Sequence, residues 1–264
     1  MYSPVLFLFD RSGDGLVMLE AGDPPRLPSP GDLEKFRDSV ALSGKVVRSG
    51  ENSDMWARLA PNAPTPSGLI PHNRRELATM MGQDLFIRSG IAFQMMNLTL
   101  KNKFCGVCGA EMRDHDQDRA RECPTCNNIA YPSLYPAVIV AVEKDGMLLM
   151  GHNVNFPSGR YSVLAGFVEP GETLEQAIGR EVMEEAQVKI KNIRYFASQP
   201  WPFPASFMFG FNADWESGEP TADGVELSDL KWVTPNTLPD LPPSESIARK
   251  LINDWLRRRG VIPI

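Results

Sequence analysis

Hydrophobic and polar positions change texture between the two halves of this chain. In the first hundred residues, Val5 to Phe9 and Gly15 to Glu20 are β-like runs joined by Asp10-Arg11-Ser12-Gly13-Asp14, which reads as a turn. A proline-rich loop follows from Pro24 to Pro30, and a helix is expected around Asp32 to Val40. The Pro/Asn-rich stretch Pro61 to Pro71 then leads to helical patterns at Arg74 to Met81 and Gln83 to Leu98. Met80, Met81, Met95 and Met96 read as packing residues there. In the second half, Ala137 to Val142 and Met147 to Met150 flank Glu143 to Gly146 as a hairpin. Strands are expected at Ala165 to Val168, Phe207 to Ala213 and Leu230 to Val233. Ile247, Leu251, Ile252, Trp255 and Leu256 recur at helical spacing, with Arg257 to Arg259 complementing the carboxyl end of that helix and Gly260 stopping it. Strands alternating with helices predict a mixed sheet between helices, an α/β class.

One helix breaks the apolar rule. Pro170-Gly171 is a turn signal, and Thr173 with Gln176 makes a capping-box pair, so a helix is expected from Leu174 to Ala186. On a wheel of 3.6 residues per turn, Glu181 and Glu185 fall on the same side as Leu174 and Ile178. Half-buried like charges repel one another and lose hydration unless cations compensate them, and Mg²⁺ or Mn²⁺ is the hard, oxygen-preferring choice. The plain alternative is a solvated helix with Arg180 paired to Glu184.

Two further segments carry candidate chemistry. Cys105-Gly106-Val107-Cys108 and Cys123-Pro124-Thr125-Cys126 are two C-x2-C knuckles that use every cysteine in the chain. Their spacing suits a tetrahedral Cys₄ zinc site acting as a structural staple, against a redox pair or two disulfides. Acidic residues interspersed with Arg113, Arg119 and Arg121 in the intervening loop leave little charge for phosphate. Ser198 to Ser206 alternates prolines with Trp201 and Phe203. That segment is stiff, excluded from helices and confined to a sheet edge. Its rings fit either stacking on a flat ligand ring or the core.

The order of these motifs resembles a known family. Gly166, Glu172 and Arg180-Glu181-Val182-Met183-Glu184-Glu185 follow the Nudix box, G-x5-E-x7-R-E-U-x-E-E-x-G-U, except that Gln187 replaces the second glycine. A side chain in the left-handed conformation that such a glycine takes costs on the order of 1 kcal/mol. Gln187 should therefore perturb the helix exit without removing a ligand. Ser198 to Ser206 is similar to the S-Q-P-W-P-F-P-x-S signature of the NADH pyrophosphatase subgroup, whose members also carry a Cys₄ ribbon before the Nudix domain.

The resemblance implies an α/β/α sandwich at 132–264, a ribbon at 101–131 and an N-terminal α+β domain at 1–100. It implies hydrolysis of NADH or NAD to AMP and nicotinamide mononucleotide, and removal of NAD caps from RNA. ADP-ribose or another nucleoside diphosphate conjugate is the alternative substrate. Glu181, Glu184 and Glu185 would hold Mg²⁺ or Mn²⁺, with Glu185 helping to activate water and Glu172 with Arg180 in support. Glu226 would contact metal or substrate, or is an ordinary surface acid. Phe167, Tyr131, Gln199, Trp201, Phe203, Ser206 and Ala248 would contact substrate, and relatives form homodimers.

Composition narrows this picture. The chain has 264 residues and a net charge of −6, so no global field recruits RNA and recognition should centre on the cap. Neither Val5 to Phe9 nor Ala137 to Val142 has the length or flanks of a signal or membrane segment, which points to a cytoplasmic protein with no membrane partner. His72, His115 and His152 fit no ligand spacing.

Overall fold

The computed structural model describes residues 3–10, 17–22, 24–46 and 53–263. It contains two compact units, Met1–Ser133 and Leu134–Ile264. Most of the turn read at residues 10–14 lies outside the described residues.

In the first unit, β1 (Leu6–Phe9), β2 (Val17–Glu20), β3 (Val40–Lys45), β4 (Met55–Leu59) and β5 (Leu69–His72) form a sheet of order β3-β4-β1-β2-β5. All four residues of β1 are fully buried, which explains its unbroken apolar run. The expected helix at 32–40 is instead a 3-10 segment, Pro30–Ser39, and Val40 already belongs to β3. β5 carries Pro71, which an edge strand tolerates because its missing N–H is not needed by a neighbour. A 3-10 turn at Arg74–Glu76, α1 (Leu77–Met81) and α2 (Gln83–Lys101) follow, broken at Gly82 with φ 89°. Met95 and Met96 are buried, as packing residues should be. Arg88 on α2 grips buried Asp54 through Nε at 2.9 Å and Nη2 at 2.6 Å, and Val5 N–H donates to the same carboxylate at 3.1 Å. The unit ends in a small sheet of β6 (Arg113–Asp114), β7 (Arg121–Glu122) and β8 (Ile129–Ala130).

The second unit is built around β9 (Tyr135–Lys144). Its other strands are β10 (Met147–Asn153), β11 (Leu164–Phe167), β12 (Lys189–Trp201), β13 (Ser206–Ser217) and β14 (Leu227–Val233), in the order β12-β13-β9-β10-β14 with β11 also paired to β9. β13 runs parallel to β9 and the remaining pairs are antiparallel, so the sheet is mixed. Alternate residues of β9 serve opposite faces. Val138, Val140 and Val142 pack with Ala177, Ile178 and Val182 of α3 (Leu174–Ala186), whereas Ile139 and Ala141 pack with Leu251, Ile252 and Trp255 of α4 (Ile247–Arg257). This is the α/β/α sandwich expected from sequence. The first two thirds of β12 went unread, while its proline-aromatic end does lie on an edge strand that turns into β13 at residues 202–205.

Candidate active site

The loop before α3 and the helix itself bring the box residues together. Thr173 Oγ1 accepts from Gln176 N–H at 3.2 Å, and Thr173 N–H donates to Gln176 Oε1 at 2.8 Å, so the capping box fixes the first turn. Arg180 is the strap. Its Nε and Nη2 hold Glu172 at 2.6 and 2.9 Å, Nη2 also reaches Phe167 O at 2.8 Å, and Nη1 bonds Glu181 and Glu184 at 2.9 Å each. The guanidinium beside Glu172 lowers that carboxyl to about 2, keeping the support charged. The solvated Arg180–Glu184 pair of the plain alternative is thus present, as one arm of a larger network.

Gly166 has a steric task. A Cβ there would lie 1.8 Å from the Glu181 carboxyl carbon, so only glycine lets this side chain rest on the β11 backbone. Glu184 is exposed, Glu181 is largely covered, and Glu185 is 6% exposed. Burial, then the charges of Glu181, Glu226 and Asp223, push Glu185 up to about 8, and burial also raises Glu181. Glu185 Oε2 is buried without a hydrogen-bond partner. A cleft of about 170 Å³ beside it is lined by Gly151, Asn153, Phe156, Ser162, Ala165 and Leu227. An orphaned carboxylate oxygen among other acids suits a divalent cation, which would offset the repulsion that now lifts Glu185.

Gln187 corrects one expectation. It adopts the left-handed conformation itself, φ 56° and ψ 29°, and donates to Met183 O at 3.0 Å, so the helix exit is kept and the penalty is local strain.

The remaining site residues divide into exposed rings and buried supports. Phe167 is 53% exposed, with its ring 6.5 Å from Tyr135. Trp201 and Phe203 are half-buried, with ring centroids 5.2 Å apart. Tyr131 is exposed and belongs to the first unit. Ser206 and Ala248 are buried, Ala248 within the α4 core. Gln199 is buried, and its amide donates to Glu245 O at 2.8 Å and accepts from Ile247 N–H at 2.5 Å, so it holds the start of α4 against β12. Glu226 is exposed on the loop before β14 and close enough to act on Glu181 and Glu185. Asp223, which sequence reasoning passed over, anchors that loop; the Asp223-Gly224 pair was the available turn signal.

In the first unit, the four cysteine sulfurs lie within 4.8 Å of one another. Cys105 and Cys126 are 3.6 Å apart, Cys108 and Cys123 3.4 Å, and none is in a disulfide. A tetrahedron of ~2.3 Å bonds has edges of about 3.8 Å, so zinc fits this cluster. The N–H of Val107 donates to Cys105 Sγ at 3.4 Å, a bond that suits the thiolate zinc takes.

Comparison with known proteins agrees with this arrangement. Residues 134–255 match the NUDIX domain and residues 100–131 the NADH pyrophosphatase zinc ribbon domain. The chain is 39% identical over 244 residues to the NAD-capped RNA hydrolase NudC of Enterobacter sp. (strain 638), covering 90% of this chain and 88% of that one. It is 42% identical over 191 residues to the NudC of Salmonella agona (strain SL483), covering 70% and 74%. A solved NUDIX hydrolase from Nitrosomonas europaea is 26% identical with a TM-score of 0.47, covering 61% of this chain and 96% of that one. A carboxylate helix strapped by Arg180, preceded by a Cys₄ ribbon and matched over nearly the whole chain, makes this protein a member of the Nudix family, in the branch that carries an NADH pyrophosphatase zinc ribbon.

Proposed function

We propose that this protein hydrolyses the pyrophosphate bond of NADH and NAD to AMP and nicotinamide mononucleotide, and removes NAD caps from RNA. The observation that carries the chemistry is the buried, partnerless Glu185 Oε2 beside Glu181. The named activity of the NudC relatives supports the substrate. Glu181, Glu184, Glu185 and Glu226 would hold Mg²⁺ or Mn²⁺, which when bound acidifies water and offsets charge on the pyrophosphate oxygens. Glu185 would take the proton of the attacking water as the new P–O bond forms and the bridging P–O bond breaks, the bonding pair leaving with the departing nucleoside monophosphate. Arg180, through Glu172 and the Phe167 carbonyl, keeps the carboxylates aimed. Phe167, Trp201 and Phe203 offer ring faces to the nucleotide, with Ser206 and Ala248 as further contacts and Gln199 fixing the strand that bears Trp201.

The ribbon supplies stability and no chemistry, because four thiolates leave a zinc no open position. We infer modules at 1–100, 101–131 and 132–264, the second and third supported by the domain matches. A homodimeric state and a cytoplasmic location rest on family likeness; among the described residues no helix is long and apolar enough to cross a membrane. The test is mass spectrometry of products from NADH, NAD, ADP-ribose and NAD-capped RNA under matched metal. Nicotinamide mononucleotide and AMP from the dinucleotides, and 5′-monophosphate RNA from the capped transcript, are expected. Turnover of ADP-ribose alone would overturn the assignment.

A further inference from the structure

The loop between β13 and β14 folds around the carboxylate of Asp223. Asp223 Oδ1 accepts from the N–H groups of Val225 at 3.1 Å, Glu226 at 3.1 Å and Leu227 at 2.8 Å, while Oδ2 takes Glu226 N–H at 3.2 Å. These bonds hold the Asp223 carboxyl below its usual range, so it stays an acceptor at any ordinary pH. Gly224 supplies the left-handed corner, φ 72°, and its N–H closes the loop onto Leu227 O at 3.0 Å. From the other side, Val154 N–H donates to Glu226 O at 2.9 Å.

Glu226 is therefore fixed by its backbone on both flanks. Leu227, the next residue, lines the cleft beside Glu185 together with Asn153 and Ala165, which brings this loop to the acids of α3. The oxygens of Asp223, by contrast, are committed to the amides of the loop. The two acids thus have different tasks.

We propose that Asp223 is the positioning residue for Glu226: it shapes the 223–227 loop so that Glu226 faces the carboxylates of α3, and it does not itself touch metal or substrate. This rests on Glu226 serving the proposed site. A carboxylate that orients a ligand through backbone amides acts as a supporting partner, and loss of such partners changes metal affinity or activity by about 10- to 100-fold.

The experiment is a double-mutant cycle of Asp223→Ala and Glu226→Gln in the full chain, with Asp223→Asn as the conservative variant. Free Mn²⁺ would be titrated by electron paramagnetic resonance, NADH turnover measured at saturating Mn²⁺, and amide exchange followed at residues 225–227. D223A should weaken Mn²⁺ binding by about 10-fold and speed exchange at these amides. D223N, which keeps one acceptor oxygen, should recover most of both. In the E226Q background, D223A should add less than about 2-fold, because the residue it acts through is already disabled. Additive losses would overturn the inference, showing that Asp223 acts on metal or substrate directly. A lower Tm with unchanged Mn²⁺ affinity and turnover would also overturn it, leaving a structural role alone. If E226Q itself leaves Mn²⁺ binding and turnover intact, Glu226 is no part of the site and the inference fails with that assignment. The Mn²⁺ arm still reads if NADH proves not to be the substrate.

Discussion

The chain holds two clusters of metal-ligand chemistry, and they are built in opposite ways. The cysteine knuckles converge: four sulfurs sit within 4.8 Å, aimed by short loops whose left-handed corners are Gly109 and Asn127. The α3 acids diverge. Glu184 points to solvent, Glu181 lies over Gly166 and Glu185 is sunk in the core, while Arg180 stands among them as a fixed counter-charge. A closed set binds once and staples; an open set can exchange water and substrate around a cation. Dense, convergent thiolates suit a structural metal, and the open, unevenly charged set of acids suits the cation that the proposed hydrolysis needs.

The contrast is attacked most directly at Glu185. In Glu185→Gln the volume and reach survive but the charge does not, so kcat on NADH should fall at least about 10²-fold with the fold intact. Exposed Glu175→Gln on the same helix is the control and should turn over like the parent. Equal rates in steady-state assays would remove the helix from catalysis. At the other cluster, Cys105→Ser should release zinc, reducing it from about one ion per chain, and unfold the ribbon, since a closed site contributes folding free energy directly. Metal analysis with circular dichroism would show this, and a zinc-free parent that melts normally would refute it.

Gly166→Ala is a smaller, sharper cut. The methyl must displace the Glu181 carboxylate, so kcat should drop by about 10-fold while Tm moves little, an effect on the scale of a lost orienting partner. The smallest change runs the other way. Gln187→Gly relieves a left-handed side chain and should stabilise the protein by about 1 kcal/mol, read as a higher denaturant midpoint, with turnover unchanged.

How much of this was legible in the sequence depended on whether the determining interactions were local. α3 and its cap follow from neighbours three and four residues apart, and the knuckles from two short spacings, so both were readable. The first part of β12 was hidden because an edge strand keeps polar residues such as Lys189, Lys191 and Asn192, and its register shifts spoil the alternation. β4 was missed because it pairs in parallel with β1, far away in sequence. The tie from Gln199 to α4 was hidden for the same reason: its partners at Glu245 and Ile247 are 46 and 48 residues away. Asp223 works through the backbone amides of its own loop, so its one mark in the sequence is the turn pair it forms with Gly224.

The close approach of Glu181 to Gly166 also acts as a gauge for sliding. A helix advances 1.5 Å per residue, so a slip of α3 by a single position along the sheet would bring a different side chain over a spot with no room for a methyl group. The strand backbone thereby selects one axial setting of the helix during folding. The setting of Glu181 is thus fixed by packing, and the entropy of arranging that side chain is lost in folding.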